Sequence, residues 1–430
     1  MPRPIAFDIT HLVSRLPVPN PSGIDKVDLA YAQHFARKGS DVAVHYGLWR
    51  PRFHQGRVVG DVVDLASRSR WVGVEEDQDS ALDRVVRFLT GRPDGVLRPR
   101  PEGGRVKVAP PRDDGWRRRR AQVRWRLSPG RHTLPDGALY LNVAQHAFET
   151  PRFFRWLSAR PDVMPVFLMH DLLPMDYPEY FRPGYRERFT RRLDTIVNHA
   201  KALITTSTAV KERLAEEYAA RRRPVVPIHV VPLPSTMAPV DERAIADPEL
   251  AANPYFVVLG TIEPRKNHLL LLNIWRRLAE THTSPPKLVI VGVRGWENEQ
   301  VLDVLDRSVL VRPHVIEASG VSDRGLLRLL ANARGLLMPS FAEGYGLPVV
   351  EALSVGTPVV ASDIPVFREV SQGCAAFHHP LDGPGWRQAV VTLSDLEHPA
   401  TREARRMAQS FRAPSWEGYF DSVGAFLDEL

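Results

Sequence analysis

Two loops in the second half of the chain combine residues that could bind a phosphate group. The first loop, residues 260–267, follows the apolar run Tyr255–Leu259 and carries Gly260, Arg265 and Lys266 just before an apolar helical pattern. A turn of this kind offers an anion the N–H groups of a helix N-terminus together with two cationic side chains. A solvated helix start with incidental charge is the alternative interpretation of this loop taken alone.

The second loop, residues 339–347, follows another apolar run and leads into a helix that starts near Pro348. Its glycines, Gly344 and Gly346, allow the backbone to approach a ligand closely. Glu343 and Glu351 stand eight residues apart. Carboxylates repel phosphate but accept hydrogen bonds from sugar hydroxyls, so the pair favours a ligand that joins a sugar to a diphosphate. Interaction with the helix dipole is the alternative explanation for Glu351.

Strand-like and helical patterns alternate along most of the chain. Short apolar runs separated by stretches of helix length are typical of parallel βαβ units. The runs predicted as strands are residues 5–9, 42–45, 138–143, 163–170, 202–205, 227–231, 255–259, 287–291, 314–317, 335–338 and 358–361. A chain of 430 residues that repeats this pattern twice predicts two α/β domains.

The pattern also predicts where the domains begin and end. We expect an N-terminal domain at residues 1–235 with a basic insertion at about 92–131. A linker rich in proline and alanine follows at 236–253, then a C-terminal domain at 254–412 and a terminal helix at 413–430. Parallel sheets bind ligands at the carboxyl ends of their strands, so we expect a cleft between the two domains.

Together the two loops resemble a known family. GTIEPRKN at residues 260–267 and EGYGLPVVE at 343–351 are similar to motifs of the retaining nucleotide-sugar glycosyltransferases of the GT-B fold, family 4. This family includes mannosyltransferases and enzymes of capsule and lipopolysaccharide synthesis. The resemblance spans about residues 255–368 and implies two Rossmann-like domains facing across a cleft. It also implies a C-terminal helix that packs back toward the N-terminal domain.

The resemblance implies a role for individual residues of the C-terminal domain, which would bind the donor. Arg265 and Lys266 would hold the diphosphate, Glu343 the hydroxyls of the transferred sugar, and Glu351 the ribose. The other implied donor-binding residues are Gly260, Gly344, Tyr345, Gly346 and Leu347, with Arg294 and Val321 framing the base.

Fewer residues of the N-terminal half, the implied acceptor domain, fit the family. Ser22 and Gly23 lie between the first predicted strand and helix and resemble its glycine-containing loop beside the donor phosphates. His170 and Asp171 follow a predicted strand and resemble a His-Asp-Leu-x-Pro motif found in a subset of the family. A histidine there could hydrogen-bond the donor or the incoming hydroxyl, with Ser22 and Asp171 on the acceptor side. A structural His-Asp pair is the alternative.

The implied activity is transfer of a hexose-type sugar from a nucleoside-diphosphate sugar to a hydroxyl of a glycan or lipid-linked acceptor, in bacterial surface polysaccharide assembly. Arg265 and Lys266 would neutralise the leaving diphosphate, so we expect no metal and no other cofactor. A nucleotide-sugar 2-epimerase of the same fold and a catalytically silent binding scaffold are the alternatives. Asp77 and Asp79 form an Asp-x-Asp pair, the metal-binding motif of a different glycosyltransferase fold, but their acidic surroundings favour a solvated turn.

The net charge of +7 is concentrated in one segment. Residues 92–131 hold thirteen lysines and arginines and four acidic residues, and the rest of the chain is slightly acidic. The segment also contains Trp116 and Trp125 and predicts a loop or insertion. It favours either contact with an anionic membrane surface, at the inner face of the cell membrane, or a solvated insertion. We expect no nucleic-acid binding, because no nucleic-acid-binding module surrounds the segment.

The remaining features predict a cytoplasmic protein. The N-terminus lacks the apolar run of a signal peptide, and no run approaches the length of a membrane-spanning helix. The single cysteine, Cys374, excludes a disulfide within the chain.

Overall fold

The computed structural model describes residues 3–18, 21–37, 42–46, 50–55, 57–67, 79–92, 115–127, 133–237 and 245–430. The chain divides into two compact units. Unit 1 comprises Met1–Val72, Lys107–Thr236 and Pro414–Leu430, and unit 2 comprises Gly73–Val106 and Met237–Ala413. The described residues 79–92 therefore belong to unit 2, and the prediction that placed them in the N-terminal domain is wrong.

In the described part of unit 1, seven strands form one sheet. They are β1 (Ile5–Asp8), β2 (Val42–Tyr46), β3 (Pro51–Gln55), β4 (Leu139–Asn142), β5 (Met164–Met169), β6 (Ala202–Thr205) and β7 (Ile228–Val230). Their order is β3-β2-β1-β4-β5-β6-β7, and all neighbours are parallel except β2 and β3. The antiparallel edge strand β3 is absent from the sequence prediction.

In unit 2, the described residues form a six-stranded parallel sheet. Its strands are β8 (Tyr255–Leu259), β9 (Lys287–Val291), β10 (Val315–Ala318), β11 (Gly335–Met338), β12 (Val359–Ser362) and β13 (Ala375–His378). Their order is β10-β9-β8-β11-β12-β13, so the direction of the strand order reverses between β8 and β11. Open α/β sheets bind ligands at this kind of switch point.

Helices connect the strands in both units. In chain order they are α1 (Thr10–Arg15), α2 (Gly23–Arg37), α3 (Arg57–Ser67), α4 (Ser80–Leu89), α5 (Gly115–Leu127), α6 (Arg155–Ser158), α7 (Leu173–Asp176), α8 (Tyr185–His199), α9 (Thr208–Ala220), α10 (Pro248–Ala252), α11 (His268–Thr281), α12 (Glu299–Arg307), α13 (Asp323–Asn332), α14 (Leu347–Ser354), α15 (Pro365–Val370), α16 (Gly383–Ser394), α17 (Pro399–Ser410) and α18 (Trp416–Asp428). Each sheet with its helices is Rossmann-like, which confirms the predicted α/β class. No helix of the described residues is long and apolar enough to cross a membrane.

The terminal helix α18 packs into unit 1, as the resemblance implied. The hydroxyl groups of Tyr419 and Tyr31 lie 2.8 Å apart, and both side chains are buried. The ring of Phe420 stacks on that of His34 with 4.0 Å between centroids. The helix thereby completes the aromatic core beside α2.

Helix α4 joins unit 2 although it stands in the first quarter of the sequence. Leu82, Val85 and Leu89 form its buried face, and it packs against β10, the edge strand of the sheet. Asp79, the N-cap residue of α4, is only 3% exposed, so the prediction of a solvated turn is wrong for this residue. Residues 77–78 lie outside the described residues.

Residues 115–127 of the basic segment form helix α5, which excludes a loop there and leaves the alternative, an insertion, as a prediction. Helix α5 lies in unit 1 and is held to it by Trp125, whose ring centroid is 4.9 Å from that of His54 and 6.0 Å from that of His45. Gln122 also donates a hydrogen bond to the carbonyl of Ser14 at 2.9 Å. The stretches 93–114 and 128–132 lie outside the described residues.

The described part of the predicted linker is also structured. Asp247 caps α10 by accepting hydrogen bonds from the N–H groups of Glu249 and Leu250. Its other carboxylate oxygen accepts a hydrogen bond from Arg328 on α13 at 2.7 Å. Asp247 therefore ties α10 to α13 within unit 2.

Candidate functional site

The loop after β8 begins with a backbone conformation that favours glycine. Gly260 has a φ of +134°, and a Cβ atom there would lie 2.9 Å from Cε of Lys266. Pro264–Lys266 forms one 3-10 turn, and Asn267, with a φ of +54°, connects the turn to α11. The glycine thus leaves room for the Lys266 side chain, which folds back over the strand end and is buried.

Hydrogen bonds from the backbone and from side chains join this loop to the loop after β11. The N–H of Phe341 donates to the carbonyl of Arg265 at 2.9 Å, and Nδ2 of Asn267 donates to the carbonyl of Pro339 at 3.1 Å. Since β8 and β11 are the adjacent strands at the switch point, both loops leave the sheet at the same place. The structure therefore brings together the two loops that the sequence identifies.

Four charged side chains pair where the loops meet. Arg265 contacts Glu263 at 2.7 Å and Glu343 at 2.5 Å, and Nζ of Lys266 contacts Glu343 at 2.6 Å. None of these side chains is more than 13% exposed. We call these four residues the ion-pair cluster.

The charges of the ion-pair cluster balance. Burial by itself raises the pKa of Glu343, but the cations of Arg265 and Lys266 lower it to about 2. Glu343 is therefore ionised at neutral pH, and the cluster has two formal positive and two formal negative charges. An anion that binds to Arg265 and Lys266 must compete with Glu343 for their N–H donors. The N-terminus of α11 adds partial positive charge at the same place.

The glycine-rich part of the second loop is shaped by packing. Gly344 and Tyr345 form a bend, and the Tyr345 side chain is buried. Gly346 has a φ of +111°, and a Cβ atom there would lie 2.8 Å from the ring of Phe367. Gly346 is thus required both by its backbone conformation and by the ring that packs against it.

Helix α14 follows directly. It starts at Leu347, and Glu351 lies in its second turn with a buried side chain. A buried carboxylate in a helix interior interacts little with the helix dipole, whose effect is confined to the first turn. The dipole explanation for Glu351 is therefore weakened.

Arg294 and Val321 follow the neighbouring strands β9 and β10, each by three residues. The guanidinium of Arg294 donates to Glu317 at 2.6 and 2.9 Å and to Asp306 at 2.5 and 2.8 Å. Arg294 thus holds two carboxylates together beside the end of β10. Val321 is half-buried and immediately precedes Ser322, the N-cap residue of α13.

In unit 1, His170 and Asp171 follow β5 as predicted. The Nε2 of His170 donates to the carbonyl of Val143 at 2.8 Å, so Nδ1 carries the lone pair. Burial lowers the pKa of His170 to about 4, and the ring is therefore neutral at neutral pH. Asp171 accepts a hydrogen bond from the N–H of Leu173 at 3.1 Å, which starts α7. Asp171 thus fits the structural interpretation, whereas His170 has a hydrogen-bond acceptor at Nδ1.

Ser22 and Gly23 stand at the start of α2 beside a buried carboxylate that the sequence analysis missed. The N–H and Oγ of Ser22 donate to Oδ2 of Asp25 at 2.7 and 2.9 Å. Oδ1 of Asp25 lies 2.7 Å from Nε2 of His11, and Arg15 donates to both oxygens. Burial alone raises the pKa of Asp25, but the hydrogen bonds from His11, Arg15 and Ser22 lower it below its usual range.

Two more carboxylates of unit 1 are fully buried. Asp8 accepts hydrogen bonds from the N–H of Thr10, the hydroxyl of Tyr140 and the amide of Asn142, which identifies it as structural. Neither side-chain oxygen of Asp28 makes a hydrogen bond within the described residues. Burial raises the pKa of Asp28 to about 7, and the charges of Asp8 and Asp25 add to this effect.

Four residues at or near the candidate sites do not stand out in the sequence: Glu263, Asn267, His268 and Asp25. Asn267 joins the two loops, and Glu263 completes the ion-pair cluster. His268 is buried at the start of α11, and burial, with the nearby Lys266, lowers its pKa to about 3. The available signal for the first three was their place in the same eight-residue turn and its adjoining helix start. Within the described residues, no group of His, Cys, Asp and Glu is arranged to hold a metal ion.

Comparison with known proteins identifies the family and the fold of the chain. Residues 242–372 match the family model of the glycosyl transferases group 1. The O-antigen chain mannosyltransferase B of Escherichia coli is 32% identical over 265 residues, which covers 59% of this chain and 67% of that protein. The serotype-specific mannosyltransferase WbdA of Escherichia coli is 32% identical over 223 residues, 48% of this chain and 27% of WbdA. The chain therefore aligns with only about a quarter of the length of WbdA.

Among solved structures, the Anabaena protein HepE in complex with UDP is similar, with a TM-score of 0.50 and 16% identity. The similarity covers 68% of this chain and 79% of HepE. The two parallel-sheet units and this likeness define the class as the GT-B fold. The chain belongs to the glycosyl transferases group 1 family.

The packing of Lys266 over Gly260 predicts the effect of a single methyl group. We expect Gly260→Ala to displace Lys266, to destabilise the protein by about 1–3 kcal/mol and to weaken the binding of inorganic pyrophosphate. Gly373→Ala is the matched control, because Gly373 also has a positive φ but nothing lies within 4 Å of its Cβ position. Thermal melting and calorimetric titration would measure both effects. Equal pyrophosphate affinity in the two variants would contradict the role of Lys266 in binding phosphate.

The raised pKa of Asp28 predicts a dependence of stability on pH. In the folded protein this carboxyl is protonated below about pH 7, whereas in the unfolded chain it ionises near pH 4. Because only the unfolded chain ionises at Asp28 over this range, the free energy of unfolding falls as the pH rises from 4 to 7. We expect Asp28→Asn to melt several degrees above the wild type at pH 8, for a free-energy gain of up to about 4 kcal/mol. At pH 5 we expect a much smaller difference. The same difference in melting temperature at both pH values would contradict the raised pKa of Asp28. The control is Asp136→Asn, which makes the same change at an exposed carboxylate of unit 1.

Proposed function

We propose that the protein transfers mannose, or a similar hexose, from a nucleoside-diphosphate sugar to a hydroxyl of a surface polysaccharide, with retention at the anomeric carbon. The observation that carries this proposal is the buried pair of cations, Arg265 and Lys266, at the switch point of the unit 2 sheet. The names of the relatives WbdA and O-antigen chain mannosyltransferase B support the sugar and the kind of acceptor.

The chemistry follows from these residues. The reaction breaks the bond between the anomeric carbon and a diphosphate oxygen and joins that carbon to the acceptor oxygen. The proton of the acceptor hydroxyl passes to the departing diphosphate or to water. Negative charge develops on the departing diphosphate, and Arg265 and Lys266 would neutralise it with the help of the α11 N-terminus. The neutral His170, with its lone pair on Nδ1, would accept a hydrogen bond from a hydroxyl of a substrate. The proposal includes no metal and no other cofactor.

Glu343 would have two roles in turn. Without donor it pairs with both cations and keeps them compensated in a buried place. When the diphosphate binds, it would replace Glu343 as the partner of Arg265 and Lys266. The carboxylate of Glu343 would then be available to the hydroxyls of the sugar. This exchange of partners would couple sugar recognition to diphosphate binding. Buried Glu351, in the second turn of α14, keeps its proposed role at the ribose.

Contact of residues 92–131 with an anionic membrane surface stays part of the proposal. In its favour, Arg119, Arg120 and Arg124 on α5 are exposed, as is the apolar side chain of Leu127. Basic residues near an anionic bilayer each contribute roughly 1 kcal/mol. Trp125 does not contribute to this surface, because it is buried against unit 1.

A screen of donors tests the proposal directly. We expect one class among UDP-, GDP-, ADP- and dTDP-sugars to raise the melting temperature, because a ligand that binds only the folded state stabilises it. The same class should then support transfer to a glycan acceptor, and Lys266→Gln should lose both effects. Absence of stabilisation by any of these donors would contradict the proposal and point to a binding scaffold.

The competition at the ion-pair cluster predicts an unusual variant. Glu343→Gln keeps the size of the side chain but leaves the cluster with a net positive charge. We expect the free nucleoside diphosphate to bind about 3- to 10-fold more tightly, while transfer falls by about 100-fold or more because the sugar loses its carboxylate partner. Calorimetric titration and a transfer assay would measure these effects.

The matched control is Glu280→Gln, which makes the same change of charge at a more exposed position near the end of α11. It should leave both affinity and transfer unchanged. Weaker nucleoside-diphosphate binding by Glu343→Gln would show that Glu343 does not compete with the diphosphate.

A further inference from the structure

Helix α4 is an addition to unit 2 from a distant part of the sequence. The 147 residues 90–236 separate it from Met237, where the main part of the unit begins. Leu82, Val85 and Leu89 bury its apolar face, and it packs along β10. Covering an exposed edge strand is a sufficient reason for such a helix, but its polar contacts are concentrated at one end of β10.

The carboxylate of Asp79 connects two helix starts. Its Oδ1 accepts a hydrogen bond from the N–H of Leu82 at 2.9 Å and so caps α4. Its Oδ2 accepts a hydrogen bond from the N–H of Ser322 at 2.7 Å, and Ser322 in turn caps α13 through Gly325 at 2.9 Å. A Cβ atom at Gly325 would lie 2.7 Å from Oδ2 of Asp79. The start of α13 is thus built around this buried carboxylate.

A second contact holds the other side of the same turn. Arg84 on α4 donates to the carbonyl of Glu317 at 3.0 Å, and the carboxylate of Glu317 holds Arg294. Between Glu317 and Ser322 the chain turns through Gly320, which has a φ of +79°. Helix α4 therefore fixes the turn at residues 318–322 at both ends.

The position of this turn relates it to the ion-pair cluster. β10 lies two strands from β8 in the sheet, so their carboxyl ends are about 10 Å apart. This distance is within the reach of a nucleoside whose diphosphate is bound at the end of β8. The turn carries the half-buried Val321, and Arg294 beside it is held by the same strand.

We propose that helix α4 positions the turn at residues 318–322 to receive the base of the nucleotide, with Asp79 as a positioning residue. The inference rests on the proposed function, since it assumes a nucleoside diphosphate at the ion-pair cluster. It adds that base recognition depends on a segment from the first quarter of the sequence. Asp79 does not touch the ligand and acts through Ser322.

The chain offers a closely matched pair of variants. Asp79 and Asp247 are both N-cap residues that use one carboxylate oxygen for their own helix and the other for α13. Serine is a good N-cap residue but is too short to keep the second contact. Asp79→Ser therefore releases the turn before α13, whereas Asp247→Ser releases only the contact of Arg328 farther along the helix.

The readout is the affinity for a nucleoside diphosphate compared with that for inorganic pyrophosphate. The first probe is whichever of GDP, UDP, ADP and dTDP the wild type binds most tightly. The second probe is inorganic pyrophosphate. We expect Asp79→Ser to raise the Kd for this nucleotide about tenfold and to leave the Kd for pyrophosphate within about twofold. Asp247→Ser should leave both unchanged, although both variants lower the melting temperature.

Each result has a separate meaning. Wild-type affinity of Asp79→Ser for the nucleotide would overturn the inference and leave the proposed function intact. An equal loss of pyrophosphate and nucleotide binding would also overturn it, because it would show general damage to the unit. If the wild type binds pyrophosphate but none of the four nucleotides, the proposed function fails and the inference fails with it.

Discussion

Two cations and two carboxylates buried at the end of β8 are compatible with a stable fold only if each charge has a partner. In this protein the partners are one another: Arg265 lies between Glu263 and Glu343, and Lys266 reaches Glu343. Other parts of unit 2 support this arrangement. Gly260 leaves room for the lysine, and Asn267 ties the two loops together. The switch point of the sheet supplies the place where two loops can meet.

In the proposed function, the same pairing would keep the buried site stable without a ligand and still let it bind one. Charges that compensate each other need no ligand for stability. Arg265 and Lys266 would still be able to exchange Glu343 for an anion that offers them better hydrogen-bond geometry. Unit 1 is different, because burial keeps His170 neutral after β5 and three neighbours keep Asp25 ionised at the start of α2. One unit therefore presents balanced charge, and the other a neutral hydrogen-bond acceptor.

Five of the six strands of unit 2 were predictable because buried parallel strands are continuous apolar runs. The edge strand β13 was missed, because it is only partly buried and its sequence has no such run. β8, β9 and β11 have the predicted boundaries, as does β6 in unit 1. The antiparallel β3 was missed because its sequence, starting with Pro51, has no such run. Local pattern also cannot tell on which sheet a helix packs, which is why α4 was assigned to the wrong unit.

The candidate site was predictable to a similar extent. Arg265, Lys266 and Glu343 were identified from their residue types and their place after strands, but their pairing depends on the adjacency of β8 and β11. Asp79 stands in an acidic run that looks solvated, and only the contact with Ser322, distant in sequence, shows why it is buried. Asp25 was missed because its partners, His11 and Arg15, lie on a helix that the sequence did not predict.

The most direct test of this account is a crystal structure of the protein with a bound nucleoside diphosphate. We expect oxygens of the terminal phosphate to lie within hydrogen-bond distance of Nζ of Lys266 and of the guanidinium of Arg265. Glu343 should then no longer pair with both cations. A diphosphate bound elsewhere, with the three residues still paired to one another, would contradict it.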